Sequence, residues 1–328
     1  MLMTRRQCLG VLASVGILPS LLEARSGPIP KTQTISFQGR EHARASSIAR
    51  SAGLTLRWTS KEQVILSGVG TTVQLDHDSR RIRINGIWVW LSGPVFMRDG
   101  EAFLPLLDVS KTLVPILSPK KVKQNLRTIC IDPGHGGEDT GKRDGGRYEK
   151  TYTLLLAKEL GRLLKSAGYR VVLTRTSDKS IELTDRPLVA SRSKADLFVS
   201  LHFNGADVAS AQGVEVYCMT PFGSSSTNAG GEGADSPTSP GNRFDERNVQ
   251  LAFELQKLLV QRLEREDRGL RRARFAVLRD ATMPAVLIEG GFMSNSAEAR
   301  WIYSEPGRLK LAQSIVEALR NYKRNASL

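Results

Sequence analysis

Thr128-Ile129-Cys130-Ile131-Asp132-Pro133-Gly134-His135-Gly136-Gly137 sets the reading of this chain. Residues 127–132 are a short apolar run, read as a buried strand, and Pro133 and the glycines stop it. His135 therefore stands just past a strand's carboxyl end, in a turn bare enough for backbone to approach a ligand. Downstream, strands and helices alternate. Helices are expected over 151–167, 184–194, 245–265 and 306–323, and strands over 169–174, 196–202, 213–219 and 285–289. This is the pattern of an α/β domain, a layered and mostly parallel sheet flanked by helices. In such sheets ligands bind beyond the strands' carboxyl ends. His202 and Glu289 also end strands, and Glu149 precedes the helix after the first loop.

Two of the chain's four histidines at strand ends, with carboxylates close by, suggest metal hydrolysis. Two His and one carboxylate suffice for a catalytic zinc that keeps its fourth position for water, and a further carboxylate can serve as general base. Glu138 and Asp139 compete with Glu149 as ligands.

Ahead of this domain, residues 33–118 are β-rich. Asn85-Gly86 between Arg81-Ile82-Arg83-Ile84 and Ile87-Trp88-Val89-Trp90-Leu91 signals a hairpin. Residues 41–54 read as a short amphipathic helix. Trp88 and Trp90 share one face; core packing is favoured over stacking on a sugar. His42 and His77 are isolated and read as surface or turn residues. Residues 119–126 read as a linker. The first 24 residues, with Arg5-Arg6 before Leu9-Gly10-Val11-Leu12-Ala13-Ser14-Val15-Gly16-Ile17-Leu18, read as an export signal, with twin-arginine character. No later apolar run is long enough for a membrane span. Without its export segment the chain keeps Cys130 and Cys218, expected as buried thiols.

The chain has 328 residues, 40% hydrophobic and 24% charged, a globular composition. Its net charge of +14 favours a polyanionic partner. Nothing resembles a zinc finger, RNA-binding aromatic motif or basic zipper, so nucleic acid is not expected. The arginines within 262–279 read as a solvated helix face and the loop after it.

Residues 127–323 resemble the zinc-dependent N-acetylmuramoyl-L-alanine amidases of bacterial cell walls. The resemblance rests on the 131–137 stretch, Tyr148-Glu149-Lys150, Gly168-Tyr169-Arg170-Val171-Val172-Leu173-Thr174-Arg175, Leu183-Thr184-Asp185-Arg186, Ser200-Leu201-His202-Phe203-Asn204, Gly213-Val214-Glu215-Val216-Tyr217 and 283–292, in family order. It implies one zinc held by His135, Glu149 and His202, Glu289 as catalytic carboxylate, and cleavage of the amide between N-acetylmuramic acid and L-alanine. Peptidoglycan is the implied partner, and the periplasm or cell envelope the implied location. Arg175, Arg186 and Asn204 are candidate substrate-binding residues; internal salt bridging is the alternative for the arginines. A peptidoglycan-binding protein without catalysis and a zinc peptidase cutting within the stem peptide are the competing readings. The β-rich segment resembles, more diffusely, the N-terminal domain of copper amine oxidases. Many division-associated amidases carry an inserted helix over the zinc. Here Gly223 to Asn242 is rich in Gly, Ser and Pro, which suits a loop, so basal activity is expected without an activator.

Overall fold

The computed structural model describes residues 34–37, 39–119, 126–228, 231 and 233–327. The expected export segment and linker positions 120–125 lie outside the described residues.

Eight strands build the N-terminal part: β1 (Thr34–Phe37), β2 (Arg40–Arg44), β3 (Thr55–Ser60), β4 (Gln63–Gly68), β5 (Thr71–Asp76), β6 (Ser79–Ile84), β7 (Ile87–Arg98) and β8 (Glu101–Pro105). Neighbours from β3 to β8 pair antiparallel. Strict alternation drives this: Val64, Leu66, Val73, Leu75, Ile82, Ile84 and Val89 are buried on one face. Asn85 and Gly86 both have positive φ, 50° and 82°, as the β6–β7 hairpin requires. The helix expected over 41–54 is shorter: α1 spans Ala45–Ala52, and β2 takes the residues before it. There His42 is buried against Phe37 and Phe96 and its backbone pairs with β8, so it is not a surface residue. His77 lies exposed in the turn after β5, as expected. Short helices α2 (Leu106–Asp108) and α3 (Val114–Leu117) flank a π-helical turn.

The second part contains β9 (Thr128–Pro133), the small hairpin β10 (Arg143–Asp144) and β11 (Arg147–Tyr148), α4 (Glu149–Ser166), β12 (Arg170–Leu173), α5 (Asp185–Arg192), β13 (Leu197–Asn204), β14 (Val214–Met219), α6 (Asp245–Leu263), β15 (Asp267–Ala273), α7 (Ala276–Arg279), β16 (Ala285–Phe292), α8 (Ser296–Tyr303) and α9 (Glu305–Ser327). The sheet order is β12-β9-β13-β16-β14-β15. The first four strands run parallel; β14 is antiparallel to β16, and β15 parallel to β14. Helices α4, α6 and α9 pack on one face, α5 and α7 on the other. Cys130 and Cys218 are buried free thiols.

Two features depart from expectation. The arginine run is not a helix face followed by a loop. Helix α6 stops at Leu263 and the run forms β15, whose backbone pairs with β14 and touches β7. Arg272 and Arg274 are buried, donating to backbone carbonyls of Met219, Lys111, Ser224 and Pro221. Secondly, Leu270 lies level with Val89 in a parallel pairing, so a single sheet runs through both parts of the chain. Asp267 locks this seam, accepting from the Trp88 N–H at 2.8 Å and the Gly269 N–H at 2.9 Å.

Candidate metal centre and catalytic cleft

The glycine-rich turn is folded around its histidine. His135 has φ +62°, a left-handed conformation uncommon for a residue with a side chain. Two arginines tie the turn down. Arg175 donates to the carbonyls of Pro133 (3.0 Å), Gly134 (2.8 Å) and Lys150 (2.8 Å). Arg186 donates to Pro133 O (2.9 Å), His135 O (3.0 Å) and the Asp132 carboxylate (2.9 Å). Asp132 is buried and also accepts from the Thr174 and Ser200 hydroxyls, joining β9 to β13. Arg175 and Arg186 are 1% and 3% exposed. Their guanidinium groups are engaged by the protein's own oxygens, which favours the alternative of internal pairing: they position the turn, and of the two only Arg186 is among the residues lining the cleft described below.

The turn brings His135 against Glu149, the first residue of α4, and His202, near the end of β13. One ligand atom from each of the three lies within 4.8 Å of the others. Glu149 Oε2 is 3.0 Å from His135 Nε2, and Oε1 is 3.0 Å from His202 Nδ1. The same carboxylate accepts from the Lys142 and Phe203 N–H groups, at 2.9 and 3.0 Å. Burial disfavours the Glu149 anion, but hydrogen bonds and charge from the two histidines outweigh it and hold its pKa below the usual range. His135 Nδ1 faces Asp139 Oδ2 at 2.8 Å. Burial opposes a charged His135; Glu149 and Asp139 prevail and raise its pKa. Close approach here demands glycine. A Cβ on Gly134 would sit 2.3 Å from His202 Cε1, and one on Gly141 2.5 Å from Glu149 Oε2.

This donor set fits a divalent metal. His135 lies between two carboxylates, yet a neutral imidazole has one N–H. With that proton turned to Asp139, the Nε2 lone pair faces Glu149 Oε2, and a cation between them resolves the conflict. Two imidazole nitrogens and one anchored carboxylate are a zinc-type set, and Asp139 is the outer partner that fixes the ring. Asp139 thus stands behind His135, and Glu138 makes no such contact; both carboxylates are exposed.

Glu289 is half-buried on β16, level with His202 on one side and Glu215 on the other. Its Oε2 is buried with no hydrogen-bond partner among the described residues. Burial first, then the charges of Glu149 and Glu215, push its pKa well above the usual carboxylate value. Glu289 lines a cleft of about 340 Å³ with His135, Glu149, His202, Asn204 and Phe275. Asn204 gives its amide N–H to Glu215 Oε1 at 2.7 Å. Glu215 also accepts from the Tyr217 hydroxyl (2.9 Å) and pairs with Arg271 (2.9 Å) and Arg268 (3.3 Å). The only hint of this network in the sequence is a charged residue in an otherwise apolar strand.

The sequence profile of the N-acetylmuramoyl-L-alanine amidases matches residues 129–321. The chain belongs to that family. A second profile, the copper amine oxidase N-terminal domain, matches residues 29–118. An amidase relative, AmiC of Neisseria meningitidis serogroup B, is 33% identical over 241 residues, 66% of this chain and 58% of AmiC. The uncharacterised protein YqiI of Bacillus subtilis is 34% identical over 219 residues, 67% of this chain and 95% of YqiI. Among solved structures, the catalytic domain of the amidase CwlV from Bacillus (Paenibacillus) polymyxa aligns with a TM-score of 0.51 and 30% identity, over 60% of this chain and 98% of that domain. The mixed sheet and its helices are thus the amidase catalytic fold. The chain spans little more than half the length of AmiC.

Proposed function

We propose that this protein is an exported, zinc-dependent peptidoglycan hydrolase of the periplasm or cell envelope. It cleaves the amide between the lactyl group of N-acetylmuramic acid and the L-alanine of the stem peptide. The observation that carries this reading is the His135–Glu149–His202 cluster beside Glu289, whose buried Oε2 has no partner among the described residues. Zinc held by those three residues would supply a Lewis acid for the amide carbonyl and a water whose pKa falls to about 7.

The protein's own groups account for the remaining chemistry. The N–H groups of Lys142 and Phe203 keep Glu149 aimed at both histidines, and Asp139 holds the His135 ring. Glu289 takes a proton from the attacking water at its free Oε2 and delivers it to the amide nitrogen. The C–O bond forms, the C–N bond breaks, and the products are a lactyl carboxylate and the L-alanine amine.

Export is supported by the charged and apolar N-terminal sequence. Among the described residues no helix is long and apolar enough to cross a membrane. Of the span Gly223 to Asn242, the described residues up to Ser239 form no helix, and the last three begin the short 3-10 turn Pro240–Phe244; Arg274 holds carbonyls of this loop. This supports basal turnover without an activator. Digestion of purified peptidoglycan, with and without a chelator, tests the proposal by mass spectrometry. Free stem peptides beginning at L-alanine, lost on chelation, support it. Cuts inside the stem indicate a zinc peptidase, and tight binding without products indicates a binding protein.

A further inference from the structure

The sheet face that carries Glu289 continues past the cleft. Glu289 pairs with Glu215, Glu215 with Gly269, and beyond the seam Trp88 and Trp90 pair with Arg83 and Arg81. Side chains alternate along strands. Val89 and Leu270 point into the core, so the two tryptophans, Arg81, Arg83 and Arg271 share the face of Glu289. From β16 to β7 there are three strand spacings, about 14 Å across the sheet from the Glu289 backbone to that of Trp88.

This stretch is built. Gly269 has φ +95°, and a Cβ there would lie 3.0 Å from both the Trp88 carbonyl and the Trp90 ring, so the bare backbone lets both indoles settle against β15. The Trp90 indole N–H donates to Arg268 O at 3.0 Å. Arg83 and Arg81 stack over Trp88, 4.2 and 4.7 Å from its centroid, and Arg271 lies 4.8 Å from that of Trp90. Arg271 is neutralised by Glu215. Arg81 and Arg83 are exposed, and no described carboxylate pairs with either. Asp267, the acid near Arg83, has its oxygens turned to Trp88, Gly269 and Gln256. Two stacked guanidinium forks are thus held side by side with no described carboxylate in direct contact, Asp267 acting on Arg83 only from a distance, although such forks match carboxylates edge to edge.

We propose that Arg81 and Arg83, stacked on Trp88 and Trp90, form a subsite for the distal carboxylates of the stem peptide whose first amide lies at Glu289. The inference rests on the amidase reading. An extended peptide advances 3.3–3.6 Å per residue, so about four residues span the 14 Å. The N-terminal part of the chain then sets substrate length: stems long enough to reach it are preferred over truncated ones.

The test compares soluble muramyl-pentapeptide with muramyl-dipeptide for the full chain and for R81A/R83A. The ratio of kcat/KM, long over short, is expected to fall about tenfold in the variant, and 0.5 M salt should erase the difference. An unchanged ratio overturns the proposal. A binding readout separates this from the amidase reading: tryptophan fluorescence is titrated with free stem pentapeptide and with its carboxyl-amidated form. The acid form should bind more tightly to the native protein, by about tenfold, and lose that advantage in R81A/R83A. Equal binding of both peptides, or a preference for polyphosphate that the pentapeptide does not compete away, refutes the subsite. Failure to cleave either muramyl peptide, with carboxylate-dependent binding intact, refutes the amidase reading and leaves the subsite standing.

Discussion

Replacing Glu289 by Gln tests the chemistry and its electrostatics together. The substitution keeps shape and removes both the proton acceptor and a charge. A positioned general base contributes about 10²–10⁴ in rate. Its loss is expected to lower kcat about 10³-fold, roughly 4 kcal/mol of barrier. Stability should move the other way in chelated protein. Burial and the charges of Glu149 and Glu215 raise the Glu289 pKa in the folded state. A folded pKa above the unfolded one means that the native state binds the proton more tightly, so Glu289 costs stability at every pH above its ordinary value of 4.5, first by taking up a proton on folding and, above the folded pKa, by burying its charge. Oε2 has no partner to offset this. Glutamine removes the charge and keeps a polar group, so the gain is set at about 1 kcal/mol. For a chain of this size that is a Tm rise of about 2–4 °C at pH 7. It should shrink as pH falls through 4.5, and again when zinc is restored, because a cation beside Glu289 favours its charge. Kinetics on muramyl-pentapeptide with paired thermal melts reads both quantities. A variant keeping more than a tenth of native kcat, or losing activity together with a lower Tm, refutes the assignment of Glu289 as proton carrier.

Three further substitutions separate the layers of the site. Gly134→Ala puts a methyl 2.3–2.7 Å from the His202 ring; zinc occupancy and at least about 10² in kcat should be lost while circular dichroism is unchanged. Asp139→Ala removes the carboxylate that orients His135, so zinc affinity should fall about 10–100-fold in competition with a chelator. Asp267→Ala strips the acceptor from the Trp88 N–H across the seam and from the Gly269 N–H on its own strand. It should cost about 2 kcal/mol, a Tm drop of about 4–8 °C, with a red shift of tryptophan emission, and retained native spectra would count against the seam.

The catalytic half was legible because its chemistry sits where local pattern stops. Ile129-Cys130-Ile131 and Ala285-Val286-Leu287-Ile288 declare buried strands, so His135 falls beyond a strand end and His202 near one by counting alone; Glu289, read as ending its strand, instead lies within β16, which runs on through Gly290 and Gly291 to Phe292. The clamps were not legible. Arg175 and Arg186 look like residues awaiting an anionic ligand, and only tertiary structure shows that they answer orphaned carbonyls of a turn. The arginine run failed for a related reason. A strand's worth of hydrogen bonding for β15 comes from β14 and β7, the latter about 180 residues away in sequence, and no local periodicity announces it. His42 was misjudged because the aromatic cluster that buries it is assembled from β1, β2 and β7.

These corrections change what the positive charge means. Arg175, Arg186, Arg272 and Arg274 are interior and contribute little to attraction at the surface. Around the cleft, five carboxylates (Asp132, Asp139, Glu149, Glu215 and Glu289) stand against four guanidinium groups, those of Arg175, Arg186, Arg268 and Arg271. Burial pushes Glu289 toward its neutral form, so the protein's own groups leave the cleft close to neutral. A bound divalent cation makes it positive, while Arg81 and Arg83 keep their charge at all times. Substrate attraction near the scissile amide should therefore depend on the metal, and attraction at the far end of the stem should not. Chelation is expected to weaken binding of muramyl-dipeptide far more than binding of the free pentapeptide, and equal losses for the two ligands would show that both are held at the metal centre.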